Sequence, residues 1–148
     1  MKMLMVNNIL LVIITSLFLF SSSVHAEQSL HLLFHMGVGL NGEFYIGGTL
    51  ENKGETDVYA GFIVVTPFDK NCHPKNPLFL PISEPIKSGY KQEFRIPVEG
   101  ELYAYEISAL HAMDSLSRKI AVIDDTAIIM EGKKNKHLQR CQQARENN

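Results

Sequence analysis

The sequence is poor in the features that announce an enzyme, a nucleic-acid binder or a helical protein. It contains no Gly-x-Ser-x-Gly elbow, and no spacing forces a Ser, a His and an Asp together. It has no basic excess: 14 Lys and Arg stand against 16 Asp and Glu, for a net charge of −2. Binding of the whole domain to a phosphate backbone is excluded on that ground. Cysteine is scarce, and its two residues lack the Cys-x-x-Cys spacing of a thiolate metal site. No apolar run after residue 20 is long enough to span a bilayer, and no cysteine directly follows the first run, as lipid attachment would need. Helical periodicity is almost absent.

What the N-terminus has is an export signal. Lys2 precedes an apolar stretch from Ile9 to Phe20, and Val24-His25-Ala26 supplies a small-x-small cleavage site. Residues 1–26 are therefore expected to be removed between Ala26 and Glu27, and the product to be periplasmic or secreted from a bacterium. About 120 residues remain, enough for one core. In an oxidising compartment the even pair Cys72 and Cys141 predicts one disulfide. It would close a loop of 69 residues, worth about 4 kcal/mol in the chain-entropy model.

The remaining chain alternates with period two. Leu30, Leu32, Phe34, Met36 and Val38 share one face of a first strand, with His31, Leu33, His35 and Gly37 on the other. Asn41-Gly42 is a hairpin turn, and Phe44, Ile46, Gly48 and Leu50 form one alternating face of a second strand. Val58–Thr66, nearly all apolar and β-branched, reads as a central strand covered on both faces and ended by Pro67. Prolines between 69 and 90 leave room for one short edge strand near Leu78–Leu80. Gln92–Val98 resumes the alternation with Phe94, Ile96 and Val98 inward, and Pro97 marks it either as an edge strand or as one that ends early. Leu102–Met113 is a long strand with Tyr103, Tyr105, Ile107 and Ala109 on one side, and Lys119–Asp124 is the last. The expected organisation is a β-sandwich domain over 27–131 and a basic C-terminal tail over 132–148. Ala127–Met130 either extends the last strand after a break or forms a short helical turn, and the segment from Gly132 is either a plain tail or a short helix around His137–Ala144.

About seven strands with turns at regular spacing suggest an all-β sandwich. Gly48-Thr49-Leu50-Glu51-Asn52-Lys53-Gly54, Ser88-Gly89 with Phe94-Arg95-Ile96-Pro97-Val98, and Tyr105–Ser115 resemble the corresponding segments of bacterial immunoglobulin-like and fibronectin type III-like modules. The overall pattern also resembles small exported proteins with an ApaG-like sandwich. The resemblance spans roughly 44–124 and implies an immunoglobulin-like fold with Tyr105 near the tyrosine-corner position. The chain departs from antibody domains in having no tryptophan and in the placing of its cysteines. In such a topology the third and last strands run the same way and end at one pole. Cys72 and Cys141 can then be joined across that pole, pinning the tail to the 69–77 loop.

Candidate chemistry is sparse. His31 and His35 share a strand face but stand about 13 Å apart along it, and His73 and His111 join them only through the tertiary fold. These four are the candidate ligands of the alternative reading, a periplasmic copper or zinc protein; Met36 and Met113 suit soft copper, but on the strand reading Met36 points away from His31 and His35. Cys72-His73 would be a reactive pair only without the disulfide. Asp124 and Asp125 face opposite ways and suit a turn or cap better than paired-carboxylate chemistry. The tail carries Lys133, Lys134, Lys136, Arg140 and Arg145 with no acid from 132 to 145, either a cationic surface for an anionic partner or a solvated end. The expected function is non-catalytic, without cofactor: a module binding another protein or an envelope component through loops or an edge strand. The proline-free strand at 30–38 is the favoured edge.

Overall fold

The computed structural model describes residues 28–146, so the expected signal segment and the Ala26–Glu27 cleavage site lie outside the described residues. Seven strands and one helix follow in order: β1 Ser29–Leu40, β2 Glu43–Asn52, β3 Ala60–Phe68, β4 Leu78–Ile82, β5 Lys91–Val98, β6 Ala104–Met113, β7 Lys119–Asp124 and α1 Ala127–Glu146. The strands form one ribbon in the order β4-β3-β6-β7-β1-β2-β5. Its two outer strands, β4 and β5, return into contact, so the ribbon curls on itself as a sandwich-like all-β fold. Leu30, Leu32, Ile46, Leu50 and Ile96 from one half meet Ile63, Val65, Ile82, Ala112 and Ile120 from the other.

The turns follow local chemistry. Asn41 and Gly42 both have positive φ, 54° and 81°, which gives the two-residue hairpin between paired Leu40 and Glu43. Buried Asn52 closes the next turn. Its amide donates to the carbonyls of Thr56 and Ile86, both at 2.9 Å, while its carbonyl accepts from Gly54 N at 3.0 Å. Asp114 Oδ1 accepts from Leu116 N and Arg118 N, both at 2.9 Å, and so builds the turn into β7. Those hydrogen bonds, chiefly the one from the Arg118 backbone, hold its carboxyl below the ordinary range.

The strict alternation expected for β1 breaks at a bulge. Leu32 pairs with Leu50 and Phe34 with the very next residue, Thr49, so Leu33 is an extra residue. Beyond it the faces exchange: Phe34 and Met36 turn outward, 51% and 45% exposed, and His35 turns inward at 4%. A second bulge does the same on β6, where Val64 pairs with Ala109 and Val65 with Ile107. Tyr105 and Ile107 face the core up to that point, and Leu110 and Ala112 after it. Period-two reading fails at both places because one extra residue inverts every later side chain.

Three further expectations are corrected. β3 lies between β4 and β6, but only its inner face, Ile63, Val65 and Pro67, is buried; Phe62, Val64 and Thr66 remain partly exposed on the outer face. The first half of β1 is not an edge, since it is flanked by β2 and β7. The C-terminal segment is one 20-residue helix beginning at Ala127, so residues 127–131, expected within the sandwich, belong to α1. Pattern reading reaches only its C-terminal part, around His137–Ala144, because its polar sequence has no apolar stripe broad enough to mark the whole.

The bulge separates two leucine-like positions by energy. Leu32→Ala should lower stability by about 3 kcal/mol through cavity formation, whereas Phe34→Ala should cost under about 1 kcal/mol. Urea unfolding of the two variants measures the difference; equal losses would mean that β1 alternates without a break.

Candidate functional site: a cleft at the disulfide pole

β7 changes partners along its length. Lys119 and Ile120 pair antiparallel with Met113 and Ala112 of β6, then Ala121–Asp124 pair parallel with Ser29–Leu32 of β1. One further bond, Asp125 N to Leu32 O at 3.0 Å, ends the ladder. The chain then turns away: Asp124 Oδ1 accepts from both Thr126 N and Thr126 Oγ1, at 2.8 and 2.6 Å, and α1 begins. From Leu33 onward β1 pairs with β2 alone, and β6 from Ala104 to Leu110 pairs with β3 alone, among the described residues. Two strand edges therefore face a gap that β7 no longer fills.

That gap is a cleft of about 1070 Å³, with α1 along one side. His35, Gly37 and Gly39 of β1 line it together with Phe44, Leu102 and Tyr105. Gly37 is needed for the space: a Cβ there would stand 2.8 Å from Leu102 Cδ2 and 3.3 Å from Tyr105 Cε1. Across the floor the Tyr105 hydroxyl and His35 Nδ1 share a hydrogen bond of 2.9 Å, its direction set by the imidazole tautomer, and the two rings meet edge to face at 5.6 Å. Burial holds the His35 imidazole below its ordinary value, Asp124 opposing and Lys133 adding to the effect. Burial also pushes the Tyr105 phenol up to about 12. Both shifts favour the neutral forms near pH 7. Tyr105 spends its hydroxyl on this side chain, where the tyrosine-corner resemblance would direct it to backbone.

The helical side is basic. Lys133, Lys134, Lys136 and Arg140 line the cleft against one helical acid, Glu131, and Lys134 pairs with Glu106 of β6 at 3.3 Å. The Cys72–Cys141 disulfide fastens α1 to the β3–β4 loop, with a Cα separation of 6.0 Å, across the pole expected from strand directions. The loop is stiffened by Asp69, whose Oδ1 accepts from Asn71 N and His73 N, both at 2.8 Å. These bonds, the one from the His73 backbone foremost, hold the Asp69 carboxyl below its usual range.

The four histidines singled out in the sequence are not brought together. His31 donates from Nδ1 to Asp125, 3.0 Å from each oxygen, and its Nε2 meets Ser29 Oγ at 3.1 Å. This bond, aided by Lys53 at 3.5 Å, lowers the Asp125 carboxyl. His35 is buried on the cleft floor rather than exposed. His73 lies exposed beside Asp69, and His111 stacks on Phe62 of the outer face at 5.4 Å. Asp124 and Asp125 serve Thr126 and His31 respectively and form no carboxylate pair. The histidine that sequence reading missed is His137. Its Nε2 lies 3.5 Å from Cys141 Sγ, one helical turn on, and its ring packs 5.8 Å from Phe68. The His-x-x-x-Cys spacing inside the expected short helix was the available signal.

No family model matches this sequence, and no curated protein matches it in sequence. Among solved structures the chain is similar to IrmA from Escherichia coli, at 10% identity and a TM-score of 0.43, covering 67% of this chain and 91% of that one.

The two neutral groups on the floor set opposite pH limits. An unfolded chain with an ordinary imidazole near 6.5 takes up its proton before His35 does, so this contribution is present above 6.5 and lost as pH falls toward the lower folded value. An unfolded phenol ionises near 10.0, before Tyr105, so stability is lost as pH rises from 10.0 through about 12. The thermal midpoint should fall between pH 7 and 5, and His35→Gln should flatten that fall. An unchanged slope in the variant would remove His35 as its source.

Proposed function

We propose that the chain is an exported, non-catalytic binding module that takes an extended, acidic segment of a partner protein into the cleft at the disulfide pole. The observation that carries this reading is the unpaired edge of β1 beyond Leu32, which borders an open cleft. An extended segment laid there continues the line that β7 abandons and gains main-chain hydrogen bonds, as in strand addition. The stretch from Phe34 to Leu40 offers roughly 23 Å of edge at about 3.3 Å per residue. Lys133 and Lys136 on the facing side favour negative side chains in the segment. Tyr103, which lines the cleft and is largely exposed, suits apolar contact with such a segment.

Export is supported by the N-terminal signal pattern and by the disulfide, which persists in oxidising compartments. Among the described residues no helix is long and apolar enough to cross a membrane. The placing of β1-β2-β5 against β4-β3-β6-β7 supports immunoglobulin-like, fibronectin type III-like kinship, with ApaG-like sandwiches as the looser comparison.

Fluorescence anisotropy with labelled seven-residue peptides tests the reading. Peptides alternating apolar residues with Glu should bind, more weakly as salt rises, and those with Lys in place of Glu should not. Gly37→Val should abolish binding by filling the cleft, and Lys133→Glu with Lys136→Glu should weaken it at least tenfold. Equal binding of acidic and basic peptides, or binding untouched by Gly37→Val, would overturn the proposal.

A further inference from the structure

We infer that Cys72, Cys141 and His137 form a redox-gated site for a soft monovalent cation, Cu(I), which replaces the disulfide as the clasp of α1 when the thiols are reduced. The ligand atoms of these three residues all lie within 4.8 Å of one another. Two thiolates and an imidazole at that spacing suit a trigonal soft-metal centre. Two elements supply the ligands: His137 and Cys141 come from one face of α1, and Cys72 from the β3–β4 loop. The arrangement does not depend on one flexible segment.

Asp69 is the nearest carboxylate by sequence, but its side chain is committed to Asn71 N, His73 N and the His73 ring. The site is therefore left with sulfur and nitrogen donors and no hard oxygen ligand, which selects against divalent hard cations. Charge favours the monovalent ion. Two thiolates with Cu(I) leave one net negative charge, which suits a helix carrying Lys133, Lys134, Lys136 and Arg140. With Zn(II) the same set is neutral and gains nothing from that field.

A dithiol reductant transfers two electrons and two protons to the Cys72–Cys141 bond, becoming a cyclic disulfide as the two thiols form. Cu(I) then displaces both thiol protons and takes the lone pair of a His137 imidazole nitrogen as its third donor. Disulfide and metal exclude each other because they claim the same sulfur electron pairs. Either state joins α1 to the β3–β4 loop, and only the reduced, metal-free state frees it. This inference does not rest on peptide binding in the cleft.

The test uses the chain in its oxidised form and after anaerobic reduction with a dithiol that is then removed. Cu(I) is titrated against a chromophoric chelator. Reduced protein should take up one Cu(I) per chain and oxidised protein none. His137→Ala keeps both cysteines and can be folded oxidised before reduction; it should bind at least tenfold more weakly. X-ray absorption of the loaded protein should give two sulfur donors and one nitrogen. Equal uptake by oxidised protein, undiminished affinity in His137→Ala, or a preference for Zn(II) over Cu(I) would each overturn the inference.

Discussion

The exchange of partners along β7 is the constraint on which the rest of the molecule depends. Six residues join two half-ribbons: the first two are paired to β6 and the last four to β1. A strand that served one neighbour throughout would leave either β1 or β6 stranded from the ribbon. By crossing between them β7 closes the sandwich on one side near Ala112 and Ile120, and leaves it open where Leu33–Leu40 and Ala104–Leu110 face each other. Parallel pairing with β1 also fixes direction. β1, β3 and β7 all end at the same pole, which is why the β3–β4 loop, the β1–β2 hairpin and the start of α1 gather there.

Polar groups at that pole are satisfied within the molecule, and this explains why it can stay open. His35 and Tyr105 would each be costly to bury alone. Joined across the gap, they remain neutral and hold the two strand edges at a fixed separation without a strand between them. The glycines at 37 and 39 keep the same floor free of side chains. α1 has little apolar surface with which to pack, so its position rests on the disulfide, the Lys134–Glu106 pair and the contact of His137 with Phe68. A polar helix held by a covalent clasp over a glycine-floored gap is a different device from a core helix, whose place is set by burial.

Much of the fold was legible because strands with one buried face announce themselves by alternation, and turns by Asn-Gly, Asp and Pro. Strand number and order of elements, the Asn41-Gly42 hairpin, the edge character of the Pro97 strand and the Cys72–Cys141 link all followed from such signals. The faces of β1 and β6 did not follow in full. A bulge adds one residue, leaves hydrophobic content unchanged and inverts the pattern downstream, so Phe34 and His35 exchanged sides. The cleft was illegible for a related reason: it arises from where pairing stops, which single-strand periodicity does not encode. His137 was overlooked although its spacing of four to Cys141 lay inside the short helix considered for 137–144, because the composition there reads as a solvated tail.

Amide hydrogen exchange along β1, resolved residue by residue by NMR, tests this architecture most directly. Residues 29–32 are flanked on both sides, so their amides should be protected almost without exception. From residue 33 to 40 protection should alternate, with every second amide exchanging fast because it points to the unfilled side. Uniform protection from 29 to 40 would mean that the edge is covered, and would contradict the account of an open cleft left by β7.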